Sequence, residues 1–123
     1  MKSSSFVELN LDVILPIDYK DFLDEIGYIC LENISQEIYG YKKGFDIYNI
    51  PCVIAATKNN KKDYNLDSKE IVISHAGYQD RIVILDTRTS YVFELSLEGH
   101  KKKLADSFSG WYFDMLAKNK INN

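Results

Sequence analysis

The stretch from Leu15 to Gly27, LPIDYKDFLDEIG, constrains this chain most, because both ends of a short amphipathic helix are written into it. Pro16 suits a first helical turn, where its missing N–H costs nothing and its fixed φ is already helical. Asp18 and Asp21 follow in the turn where unpaired N–H groups and the helix dipole favour negative charge. Tyr19, Phe22, Leu23 and Ile26 recur at i, i+3, i+4 and i+7 and form one apolar stripe. Lys20 and Asp24 take the opposite face, and Gly27 stands where a left-handed cap is wanted. Such a helix must dock its stripe on a sheet or another helix. It carries no chemistry of its own.

The elements that receive it can be read in order. Met1 to Ser5 reads as a loose start. Val7, Leu9, Leu11 and Val13 alternate with Glu8, Asn10 and Asp12, which suggests a strand over residues 6–14. Tyr28 to Leu31 and Ser35 to Tyr39 are short runs of strand length, the second ending at Gly40. Pro51 can open a helix holding Val53, Ile54, Ala56 and Thr57, with a strand from Val53 to Ala56 as the alternative. Ile71 to Ser74, Arg81 to Asp86 and Tyr91 to Leu95 are β-branched or alternating runs separated by turns, too close for crossover helices, and so predict an antiparallel meander. Gly99 to Lys103 reads as an exposed turn. A last helix starts at Asp106 or Ser107, with Phe108, Trp111, Tyr112, Met115 and Leu116 at helical spacing. The fold class is α+β: a single domain over residues 1–123, with a central antiparallel sheet and helices packed on one face and at its ends.

Composition narrows the function. An apolar fraction of 46% and an aromatic fraction of 13% exclude wholesale disorder. A net charge of −3 argues against a nucleic-acid binder, which needs excess positive charge. Two basic stretches, Lys58 to Lys62 and His100 to Lys103, have no interleaved aromatics and read as solvated loops. No run approaches the roughly 18–20 apolar residues of a membrane span, and the N-terminus lacks a signal peptide's apolar core, so a soluble cytoplasmic protein is expected. Cys30 and Cys52 read as buried, reduced thiols and make no zinc site with the two distant histidines. His75 and His100 fall in turns and read as solvated. No nucleophile–base pairing or phosphate loop occurs, so no enzyme activity, metal or cofactor is expected.

What remains is surface. Tyr39, Tyr41, Phe45 and Tyr48 cluster with Asp46 ahead of Pro51, and Tyr78 with Asp80 makes a second aromatic–acidic tip. Tyrosine anchors with nearby charge are the composition of protein interfaces. These seven residues are therefore the partner-contact candidates.

Three pieces in order carry a family resemblance. Leu15-Pro16-x-Asp18-Tyr19-Lys20-x-Phe22-Leu23, then Glu37-Ile38-Tyr39-Gly40, then Ala105-Asp106-Ser107-Phe108-Ser109-Gly110-Trp111 resemble the SMI1/KNR4 (SUKH) superfamily over a core of about residues 13–117. The resemblance implies a helix where residues 6–14 alternate, and a helix rather than a strand after Pro51. It further implies an immunity protein that binds and neutralises a cognate polymorphic or contact-dependent bacterial toxin, often a nuclease, in the cytoplasm. The alternative it implies is a non-catalytic interaction scaffold or regulator. The oligomeric state is left open.

Overall fold

The computed structural model describes residues 1–76 and 80–122. In chain order these form α1 (Ser3–Leu11), α2 (Ile17–Glu25), β1 (Ile29–Leu31), β2 (Gln36–Ile38), α3 (Val53–Asn60), β3 (Glu70–His75), β4 (Arg81–Asp86), β5 (Val92–Ser96), β6 (Lys101–Ala105) and α4 (Phe108–Ile121). A 3-10 turn, Glu32–Ile34, joins β1 to β2. The sheet order is β3-β4-β5-β6, antiparallel throughout, with Ile84 opposite Phe93 and Glu94 opposite Lys102. The β1–β2 hairpin is a separate two-stranded ladder that lies against the edge of β3. There Tyr39 N–H donates to Ile73 O at 2.8 Å and the Ser74 hydroxyl donates to Glu37 O. One edge of the sheet is thus covered, and β6 is the outer strand at the other. The α+β class expected from the sequence is what the chain adopts.

The core follows from the apolar stripes. Ile71, Ile73, Ile82, Ile84 and Leu85 on the central strands are fully buried with Val53 and Ile54 of α3. Tyr19, Phe22 and Leu23 of α2 bury against Phe108 of α4, with Tyr19 and Phe108 edge-to-face at 4.9 Å. Trp111 is core, as the helical spacing indicates. Ser107 caps α4 by accepting from Gly110 N–H at 3.0 Å. Gly27 has φ +86°, the left-handed cap, and its N–H donates to Phe22 O. Pro16 stands just outside α2, at the N-cap position rather than in the first turn.

Three expectations are corrected. Residues 6–14 are not a strand, and Met1 to Ser5 is not a loose start: α1 begins at Ser3. Ser4 N and Oγ both donate to the Asp24 carboxylate, at 2.9 and 2.8 Å, and tie α1 to α2. Within α1, Val7 and Leu11 turn inward at i, i+4, while Leu9 is 71% exposed. The alternation therefore mixed helical positions with Val13, which follows a left-handed Asp12. The third correction is β6, read as a turn because three successive lysines show no alternation. An outer strand needs none, since long lysine stems can cover its neighbours while their ammonium groups stay wet. Lys101 Nζ lies 4.4 Å above the Phe93 ring and 2.7 Å from the Glu70 carboxylate, and Lys103 covers the Tyr91 ring and pairs with Asp106.

Candidate functional site

The loop between β2 and α3 is built from two glycines that meet backbone to backbone. A Cβ on Gly40 would stand 1.7 Å from Gly27 O, a position only glycine tolerates. Tyr41 N–H donates to that same carbonyl at 3.0 Å. Gly40 also pairs with the far end of the loop: its N–H donates to Pro51 O at 3.2 Å, and Val53 N–H donates to Gly40 O at 2.8 Å. The stretch from Tyr41 to Pro51 thus leaves and returns at one point, the geometry of an Ω-loop. Surface loops held this way on a rigid base commonly carry binding residues.

Its side chains divide by burial. Tyr41 and Phe45 are half-buried, with Tyr41 stacked on Phe6 of α1 at 4.5 Å and Phe45 edge-on to Tyr28 at 6.1 Å. They hold the loop to the body. Tyr48 is 77% exposed at the tip, beside the exposed Ile50. Asp46 shapes that tip: Oδ1 accepts from Tyr48 N–H at 2.9 Å and Oδ2 from the Asn49 amide at 2.7 Å. Those two donors, the Tyr48 N–H first, hold the Asp46 carboxyl below its ordinary value.

Tyr39 is corrected: it is 3% exposed and belongs to the core, so it offers no contact surface. Its phenol lies 2.6 Å from His75 Nδ1. Burial, and less strongly Glu37, pushes the Tyr39 phenol up to about 12, so it stays protonated. His75 is therefore not a solvated turn residue; it ends β3, half-buried, and burial lowers its pKa. The neighbouring Ser74 is buried, with its hydroxyl committed to Glu37 O and to the Gln36 amide. Asp80 is half-buried at the start of β4, where its carbonyl accepts from Leu97 N–H. Tyr78 lies outside the described residues. Of the thiols, Cys52 is buried as expected, but Cys30 is exposed; neither forms a disulfide. Among the described residues, no three or more His, Cys, Asp or Glu are grouped to hold a metal ion, and no helix is long and apolar enough to cross a membrane.

A further concave surface, where α2 meets α4, escaped the sequence reading. Phe22, Ile26, Phe108, Tyr112 and Phe113 line it with Asp18, Asp21 and Glu25. The signal was present as helical spacing on each helix, but nothing in either stripe says that they face each other.

The three motif pieces converge on these contacts. Asp18 of the first piece binds Ser109 of the third, and Gly40 of the second abuts Gly27, which caps the helix that the first piece opens. A family model described as SMI1-KNR4 cell-wall matches residues 3–117. No curated protein matches the chain.

Proposed function

The chain belongs to the SMI1-KNR4 cell-wall family, and on that premise we propose that it is an immunity protein. It binds one cognate bacterial toxin domain stoichiometrically, in the cytoplasm, and covers an active site or another essential surface of it. The observation that carries this reading is the extent of the match, residues 3–117, so a fold used across its family for protein binding accounts for nearly the whole chain. The pinned loop supports it by presenting Tyr48 and Asp46, with Tyr41 and Phe45 fixing the base. A net charge of −3 suits a basic nuclease domain, because opposite charge speeds encounter while aromatic anchors slow dissociation.

The word cell-wall in the family's description favours a second reading, a scaffold that gathers cellular regulators. One experiment separates the two. The purified chain is titrated against any toxin-like domain encoded beside its gene, with binding and residual nuclease activity followed together. A one-to-one complex with activity abolished supports immunity. An active toxin that neither binds nor loses activity removes the immunity reading for that partner, and specific recovery of regulators would then favour the scaffold.

A further inference from the structure

The groove between α2 and α4 combines three properties. Its floor is rigid and aromatic. Phe22 and Phe108 are buried, and Tyr112 sits edge-on to the first at 5.4 Å and stacked on the second at 5.5 Å. At its lip Phe113 is 64% exposed, next to Tyr112 at 5.8 Å, and Ile26 is exposed on the facing helix. Every charged side chain lining it is acidic.

Those carboxylates differ in availability. Asp18 is committed: Oδ2 accepts from Ser109 N–H and Oγ–H at 2.8 and 3.0 Å. Asp21 and Glu25, one helical turn apart, make no hydrogen bond or ion pair among the described residues. Lys20 lies round the other side of α2 by its spacing and cannot neutralise them. Two free negative charges therefore stand along one wall, beside an exposed phenylalanine.

Size and charge together choose the occupant. The cavity is about 190 Å³, below the roughly 300–1,000 Å³ of pockets that engulf a small molecule, and of the order of one side chain. A second copy docking the same face would bring Asp21 and Glu25 against their own equivalents, a like-charge arrangement that is costly when desolvated. A segment carrying lysine or arginine beside one apolar side chain meets both demands.

We propose that the α2–α4 groove is a docking site for a basic segment of a partner protein, which seats one apolar side chain against Phe113 and Tyr112 and places cations against Asp21 and Glu25. This rests on the protein-binding reading above and adds a second contact face to the loop that presents Tyr48 and Asp46. The floor is already packed, so little side-chain ordering opposes docking. Phe113 supplies the anchor and acts on dissociation; the two carboxylates act on encounter and on salt dependence.

The test uses the full chain as wild type, Phe113→Ala, the double variant Asp21→Asn/Glu25→Gln, and Leu9→Ala as a control on exposed surface outside the groove. The three variants change only exposed side chains, and circular dichroism verifies that each folds. A random peptide library displayed on phage is panned against the wild type, and the enriched peptides are titrated against every variant. The groove assignment expects peptides pairing lysine or arginine with an apolar residue. Their affinity falls about tenfold or more in Phe113→Ala, their salt dependence shrinks in the double variant, and Leu9→Ala leaves both unchanged. Failure to enrich, enrichment without basic residues, or equal binding to all variants overturns it. So does a concentration-dependent dimer abolished by Phe113→Ala, which would give the groove to a second copy. The same variants are then tested for toxin neutralisation. Neutralisation unchanged in both groove variants removes this face from toxin binding and leaves the immunity reading standing. Groove-dependent peptide binding without neutralisation of any neighbouring toxin does the reverse.

Discussion

The Asp18 carboxylate joins the starts of two helices that lie far apart in the chain. One oxygen accepts from Tyr19 N–H in the first turn of α2, and the other accepts from the Ser109 N–H and hydroxyl in the first turn of α4. Helix N-termini leave donors unpaired, and a carboxylate is the best small group to satisfy them. This explains physically why an LPxDY stretch and an ADSFSGW stretch occur in one sequence. Asp18→Ala should cost about 1–2 kcal/mol, whereas Asp21→Ala, which breaks no hydrogen bond, should cost little. Urea denaturation of the two variants distinguishes them; equal losses would remove the shared cap.

Gly40 and Gly44 make a second contrast. Alanine at 40 would drive its Cβ into the Gly27 carbonyl, so Gly40→Ala should lose more than about 4 kcal/mol or fail to fold. Gly44 has φ +98° but open space around it, so Gly44→Ala should cost only about 1–2 kcal/mol of backbone strain. Matching thermal unfolding midpoints for the two would show that the glycine contact does not hold the loop.

His75 makes stability depend on pH. Burial lowers its folded pKa below the ordinary 6.5, with Glu37 opposing. The unfolded chain then takes up this proton at higher pH than the folded one. The contribution is complete above the unfolded value and is lost as pH falls towards the folded value. Between about pH 7 and pH 5 the wild type should therefore lose stability faster than His75→Gln. Denaturant midpoints measured across that range test it, and parallel slopes for the two proteins would contradict it.

The lysines of β6 should not be equivalent. Lys101 reaches the buried Glu70 carboxylate at 2.7 Å and covers Phe93, whereas Lys102 makes no ion pair among the described residues. Lys101→Ala should destabilise by about 1 kcal/mol more than Lys102→Ala, because it strands a buried acceptor. Chemical denaturation of both variants at low and moderate salt decides this, and equal losses would mean that the Glu70 pairing contributes nothing.

Much of the fold was legible because its signals are local. The stripe and cap of α2, the Ser107 cap of α4 and the β-branched runs of β3 and β4 each carry their own period. The failures have physical causes. In α1, Val7 and Leu11 satisfy a helix while Val7, Leu9, Leu11 and Val13 mimic a strand, and the Ser4–Asp24 contact that settles the matter is tertiary. In β6 the lysines are exposed, so no hydrophobic period exists to be read. The loop was legible as aromatic surface, but only the hydrogen bond to Ile73 and the His75 contact reveal that Tyr39 turns inward while Tyr48 stays out. Pairing of the α2 and α4 stripes around Phe108 is likewise a property of the assembled core, invisible in either segment.

The most direct measurement of the central claim is survival on co-expression. Any toxin-like domain encoded beside this gene is induced with and without the chain, and viable cells are counted. The account predicts loss of viability with the toxin alone, rescue with both, and a one-to-one complex recovered from the rescued cells. A toxin that kills equally in the presence of abundant, folded chain would contradict it.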